Sequence, residues 1–241
     1  RSARGDVIAM VIAGKLFMIE GGGEGRGKGD IALPRIASKL KDYRREDKEQ
    51  DIRLITEIKD LHLTGDLLSG TFVQDELMGV YHHGELIHVP RTLEAPFFFV
   101  EQPDKHRVVL TIMEKKTRAN NIANQLSKIL FMTTSRIVEA RIEPSRFVHF
   151  HEDNFEDTKV IFFDDVDIPN VKKLSLYGSA LADTSLYAEH LKHGKIWYIV
   201  LKSRRYGLVV GLTRNGVVTI FSKATKDDFI NYVRDEVISL V

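Results

Sequence analysis

The chain has 241 residues, 43% hydrophobic and 29% charged, with 35 basic against 34 acidic side chains and a formal net charge of +1. That length allows one large domain or two modest ones, and the even balance means that any case for nucleic acid must rest on local patches. Cysteine is absent, which excludes disulfides, thiolate metal sites and cysteine nucleophiles and suits a reducing compartment, so a cytoplasmic or nuclear/nucleoid-associated location is expected.

The apolar runs Val7 to Ala13 and Ile196 to Leu201 are far too short to cross a bilayer as helices. No signal peptide is read at the start, because Gly14-Lys15 interrupts the apolar run there. Val7–Ala13 and Leu16–Ile19 read as two short strands of an N-terminal hairpin around Gly14-Lys15. Gly21 to Gly29 carries Gly at every second or third position and reads as a loop. A helix is predicted over 34–50, with Pro34 in its first turn and Ile36, Leu40 and Tyr43 as a narrow apolar stripe. The balanced charges on the rest of that segment read as a solvated face. Hairpin, loop and helix together form an N-terminal segment over 1–50.

From Ile52 the apolar period changes to two. Gly79–Val89, Phe97–Glu101 and Val108–Lys115 are further strand candidates, rich in β-branched and aromatic residues. Pro90 and Pro96 are read as bounding a connection, and Pro103-Asp104 as a turn. Thr117 is placed as the N-cap of a helix, buried through Ile122, Leu126, Ile129 and Leu130 and ending near Met132. These elements make a first sheet-plus-helix half over 51–134.

A second half over 135–241 is suggested by a repeated stretch. Thr111-Ile112-Met113-Glu114-Lys115-Lys116-Thr117-Arg118 is echoed by Thr219-Ile220-Phe221-Ser222-Lys223-Ala224-Thr225-Lys226, identical at four of eight positions. His83-Gly84-Glu85-Leu86 likewise matches His193-Gly194-Lys195-Ile196. Arg214-Asn215-Gly216-Val217 signals a two-residue type I′ hairpin, and a final helix begins near Lys226 with Phe229, Val233 and Val237 on one stripe. One element breaks the match: Ala180–Leu191 reads as helical and Thr71–Tyr81 as strand. The expected fold is therefore α+β, with two similar halves, each an antiparallel sheet followed by a C-terminal helix. Such a duplicated half is similar in outline to the saddle of TATA-binding protein. That likeness is one of fold alone and transfers no function.

Three motifs could carry chemistry. Gly22-x4-Gly27-Lys28 approaches a phosphate-binding loop, yet Gly29 stands where the metal-binding hydroxyl belongs, and the sheet expected downstream is antiparallel. Whether Gly21–Gly29 binds phosphate stays open. Asp104, Glu114 and Lys116 fit the spacing of a PD-(D/E)xK nuclease, which holds a metal between two carboxylates. On one strand, however, Asp104 and Glu114 would lie about 33 Å apart. His149 and His151, read as one strand face, are the candidate metal pair, with no spacing that fixes further ligands. No Gly-x-Ser-x-Gly elbow occurs. No cofactor is expected, and neither a catalytic set nor a metal site is assigned.

Charge segregation is more informative. From His190 to Lys226 there is no Asp or Glu, while Glu152 to Asp167 holds seven acids and one Lys. In the basic window Lys195, Trp197, Lys202, Arg204, Arg205, Tyr206 and Arg214 combine cations with aromatic rings, and Lys202–Tyr206 reads as the turn between two strands. Such a patch can hold phosphates while a ring stacks on a base. The leading expectation is a non-enzymatic module contacting DNA or RNA through this hairpin. The alternative is a protein-interaction or structural subunit, in a homodimer or with a protein partner, whose acidic and basic segments pair within the fold or across an interface. A metal-dependent nuclease is the third reading. No membrane contact is expected.

Overall fold

The computed structural model describes residues 11–19, 32–49, 51–102, 107–179 and 181–241. The Gly21–Gly29 loop and Asp104 lie outside the described residues, as does most of the first expected strand. The protein is α+β. Its strands pair into one twelve-stranded antiparallel sheet, and five α-helices accompany it among the described residues. None of those helices is long and apolar enough to cross a membrane. The chain divides into two compact units, Phe17–Val138 and residues up to Leu16 together with Glu139–Val241.

The first strand, β1 (Ile12–Ile19), is continuous where a hairpin around Gly14-Lys15 was expected. Gly14 and Lys15 pair in register with Val218 and Val217, so they sit inside a ladder and not at a turn. Lys15 is fully buried there, and its ammonium meets the Glu139 carboxylate at 3.1 Å and the Asn215 carbonyl at 3.3 Å. A strand-interior lysine can be accommodated because a charge and a carbonyl receive it.

In the Phe17–Val138 unit, α1 (Leu33–Leu40) is much shorter than the predicted helix. Asp42, at φ 56°, turns the chain, and the charged run continues as strand β2 (Arg44–Glu49), exposed throughout. Beyond Tyr43 no apolar stripe remains to hold a helix on a core, whereas pairing with β3 (Ile52–Thr64) satisfies the backbone. Charges of both signs on this edge, such as Arg53 on Glu46 at 2.5 Å and Arg44 on Glu57 at 3.5 Å, discourage edge-to-edge pairing with other chains.

The meander continues with β4 (Leu67–His82), β5 (Glu85–Gln102) and β6 (Arg107–Ile112). Pro90 and Pro96 lie within β5, opposite Leu77 and Thr71, and bound no connection. Helix α2 (Lys116–Phe131) is capped by Lys115 without a side-chain bond, so Thr117 lies in its first turn and is not the cap. Met132 ends the helix in the left-handed region, at φ 60°. Leu33, Ile36 and Leu40 of α1 and Ile122, Leu126 and Leu130 of α2 share a core with Ile58, Leu68, Phe72, Ala95, Phe97, Phe99 and Leu110 of the sheet. Gly70 is required there: a Cβ would lie 2.8 Å from the tip of the Phe97 ring.

Strand β7 (Ile137–Glu139) pairs with β1. In the unit that contains Glu139–Val241, the sheet order is β12 (Val217–Ile220), β11 (Val209–Thr213), β10 (Lys195–Lys202), β8 (Thr158–Asp164) and β9 (Leu174–Tyr177). Its helices are α3 (Pro144–Glu152), α4 (Ser185–His193) and α5 (Lys226–Tyr232). Thr225 caps α5 through a capping box with Asp228, as its position before the apolar stripe suggests. The β11–β12 turn departs from type I′. Gly216 alone takes a positive φ, 73°, and its amide donates to the Thr213 carbonyl, the three-residue turn with a Gly bulge.

Nothing supports a two-fold duplication. Both eight-residue stretches run from a strand end into a helix start, β6 into α2 and β12 into α5, but the helices are capped differently. His83-Gly84 makes the β4–β5 hairpin turn, whereas His193-Gly194 ends helix α4. The shared residues mark common local solutions, a strand giving way to a helix and a Gly stop, in different element orders.

Candidate nucleic-acid interface on the open sheet face

Alternation sorts the strands of the Glu139–Val241 unit into two faces. Ile161, Phe163, Ile199, Leu201, Val210, Leu212, Val218 and Ile220 are fully buried. Phe163 on this side meets Tyr187 and His190 of α4. The opposite face keeps solvent access. It carries Val160 and Phe162 of β8, Tyr177 of β9, Tyr198 and Val200 of β10, and Phe221 just past β12.

A bulge in β10 between Ile196 and Tyr198 brings Trp197 beside Tyr198, ring centroids 5.7 Å apart. Phe162 lies 5.5 Å from Tyr198, 6.0 Å from Trp197 and 5.8 Å from Tyr177. Four rings thus form one connected surface across three strands, at separations where edge and offset contacts are favourable. Gly211 of β11 makes room for it: a Cβ there would fall 2.6 Å from the Tyr198 hydroxyl and 2.9 Å from the Phe221 ring. Phe221 extends the surface across β11. Tyr177 is 68% and Phe221 48% exposed, while the other rings are half-buried and form the floor. Burial pushes the Tyr198 phenol up, and Tyr177 adds to it. The Trp197 indole N–H is buried without a hydrogen-bond partner among the described residues. The Lys173 ammonium sits 4.5 Å over the Trp197 ring, and Lys202 lies at the end of β10 on the open side.

The basic hairpin lies where the sequence placed it, between β10 and β11, but its arginines are engaged. Arg204 donates to Asp157 at 2.6 Å and also pairs with Glu156, and those carboxylates, Asp157 foremost, raise its guanidinium above the usual range. Arg205 meets Asp235 at 2.7 Å, and the Tyr206 hydroxyl donates to the same carboxylate at 2.6 Å. That hydrogen bond is the main cause holding the Asp235 carboxyl low. Arg214 pairs with Asp164 at 2.9 Å, and Lys195 approaches Asp165 at 3.5 Å. The basic window therefore meets carboxylates of the Glu152–Asp167 stretch and of the C-terminal helical segment. Of the seven predicted contact residues, Trp197 and Lys202 belong to the open face; no ion pair involves Lys202 among the described residues.

The other candidate residues lie apart from this surface. Glu114 pairs with Arg118 at 2.6 Å just before α2, where Lys116 is the first helical residue. His149 and His151 sit on helix α3, not on a strand, so two positions of separation point them in different directions. His149 is exposed against the Ser145 carbonyl, and His151 is fully buried against Tyr187. Among the described residues no group of three or more His, Asp or Glu side chains is placed to share a metal ion.

Phe162, Tyr177 and Lys173 were not legible as site residues. The strands Val160–Phe163 and Ile196–Leu201 are apolar on both faces, which alternation cannot distinguish from fully buried strands. The chain matches no protein-family model, and a search of curated proteins finds no match.

Proposed function

We propose that this protein is a non-enzymatic binding module whose open sheet face takes single-stranded nucleic acid. The observation that carries this reading is the connected row of Tyr177, Phe162, Trp197 and Tyr198 on a solvent-facing antiparallel sheet, with lysines beside it. Unpaired bases present flat apolar faces that stack on such rings, whereas a duplex hides them. Lys173 and Lys202 are positioned for phosphates, and Lys159 and Lys172 are exposed nearby. The arginines of the β10–β11 hairpin hold the loop in place through Asp157 and Asp235 and contribute little free charge.

Two consequences distinguish this from binding through an open basic hairpin. With two to four phosphates neutralised, the slope of log affinity on log salt is expected to be shallow, roughly −1.4 to −2.8. Affinity is also expected to depend on rings more than on arginines. Trp197 is the one tryptophan of the chain, so its emission reports the site directly. Titration with single-stranded DNA and RNA homopolymers is expected to change that emission, and a duplex of equal length is expected to leave it nearly unaltered. Tyr177→Ala is expected to weaken binding about tenfold, within the range for one stacked base. Gly211→Ala, which displaces Tyr198, is expected to weaken it comparably. No emission change at low salt, equal binding of duplex, or affinity untouched by Tyr177→Ala with Phe221→Ala would rule the reading out.

A further inference from the structure

The longest strands of the Phe17–Val138 unit outrun their neighbours. Pairing of β3 with β4 extends to Gln74, and that of β6 with β5 to Phe97. Beyond those points, among the described residues, β4 and β5 pair with each other alone, from Asp75↔Thr92 to His82↔Glu85, closed by a two-residue turn with His83 and Gly84 at φ 48° and 86°. The result is a two-stranded arm. A free ribbon of this kind, solvated on both sides, is marginal by itself.

One face of the arm continues the face that α1 and α2 cover over the sheet body, where Leu68, Phe72, Ala95 and Phe97 are buried. Outward from the root, the side chains on that face come in cross-strand pairs: Glu76 with Arg91, Met78 with Val89, Val80 with Ile87, and His82 with Glu85. The first of these is also an ion pair, at 2.5 Å. Met78, Val80, Ile87 and Val89 are 40, 37, 43 and 41% exposed. The face therefore reads charged, apolar, apolar, charged over about 20 Å, at ~3.3 Å per residue.

We infer that this face is the docking surface for the same face of a second copy of this chain, with the two arms antiparallel. A two-fold axis across the arm, midway between the two apolar levels, places β4 on β4 and β5 on β5. Met78 then faces the second copy's Val80, and Val89 its Ile87. At each end Arg91 faces the second copy's Glu85, and Glu76 its His82. Every apolar level meets an apolar level, and the β5 ends join opposite charges. The sequence of levels is thus complementary to itself when reversed.

The layer above the arm is also the right depth. Stacked sheets lie about 10 Å apart, so the second arm occupies the layer that α2 fills over the sheet body. Its His83-Gly84 turn reaches the mouth of a groove of about 840 Å³ between α2 and the root of the arm, lined by Gln74, Glu76, Leu93, Arg118 and Gln125. A contact confined to one ribbon face falls at the small end of specific interfaces, so the dimer is expected to be reversible and concentration-dependent.

Charge reversal tests both the partner and the register. Arg91→Glu and Glu85→Arg are each expected to weaken the dimer at least about tenfold, because each sets like charges opposite one another at both ends. An equimolar mixture of the two variants is expected to restore association. The glutamate introduced in one variant then meets the arginine introduced in the other, while the native Glu85 and Arg91 meet at the far end. Val80→Asp, in the apolar centre, is expected to abolish the dimer without rescue by either. Sedimentation equilibrium reads all four, with far-UV circular dichroism as the folding control. A wild-type chain that stays monomeric at the highest attainable concentration overturns the inference, as does a dimer indifferent to Val80→Asp or a mixture that fails to associate.

Discussion

Acidification from pH 6.5 to about 4 is expected to remove roughly 3 kcal/mol of stability through His151 alone, because each tenfold difference in proton affinity is worth about 1.4 kcal/mol. His151 is fully buried on α3. Its Nδ1 lies 3.1 Å from the Tyr187 hydroxyl, and its Nε2 has no hydrogen-bond partner among the described residues. Burial disfavours the imidazolium and lowers the pKa from 6.5 to about 4. The same burial raises the Tyr187 phenol, with Glu152 adding to it, so Tyr187 stays neutral throughout this range.

The unfolded chain thus takes up a proton near pH 6.5 that the folded chain refuses until about pH 4. Stability from this group is complete above 6.5, falls as pH drops through the interval and is gone below the folded value. Ordinary carboxylates titrate at the lower end of the same range, so the informative quantity is the difference between wild type and His151→Leu. Denaturant unfolding followed by Trp197 fluorescence, at about pH 7, 5.5 and 4, is expected to show the wild type losing stability relative to the variant as pH falls. A constant gap would mean that His151 charges freely in the folded state.

Glu139→Ala is expected to cost about 3 kcal/mol, whereas Lys15→Met is expected to be near neutral or stabilising. The asymmetry follows from which charge is stranded. Lys15 is fully enclosed in β1 with its ammonium on the Glu139 carboxylate, and that carboxylate is 39% exposed. Removing Glu139 takes a carboxylate away from a fully buried cation, so the cost of desolvating the ammonium is less well offset. Removing the lysine leaves a carboxylate that water can reach, and Met fills the same linear space without a desolvation penalty. Guanidinium unfolding of the two variants, again read by Trp197 in the same unit, distinguishes them by sign. Equal destabilisation by both would show that the pair acts through packing and not through charge.

The legible parts of the fold were those governed by local rules. The start of the last helix near Lys226, the end of α2 near Met132 and the strand period from Ile52 follow from residue types at fixed offsets, and the structure has each of them. The failures share a cause as well. Gly14-Lys15 looks like a turn because a lysine inside a ladder is costly, and partners distant in sequence, Glu139 and the Asn215 carbonyl, make it tolerable. The run after Tyr43 looks like a solvated helix face, because balanced charges suit an exposed edge strand equally well. His149 and His151 look like a metal pair only if the segment is extended, and Pro144 starts a helix there instead.

The candidate site divides along the same line. Residue order alone shows that acids and bases are segregated in the second half of the chain, that Lys202–Tyr206 joins two strands and that aromatic residues accompany the basic window. Which arginines are engaged depends on long-range contacts, because Asp157, Asp164 and Asp235 reach Arg204, Arg214 and Arg205 across tens of residues. The fold also sets which rings share a face. A single bulge beside Trp197 and a missing side chain at Gly211 gather four aromatics onto one surface. A period-two pattern that is apolar on both faces carries no information about which face meets water, since that depends on which elements fold back to cover it.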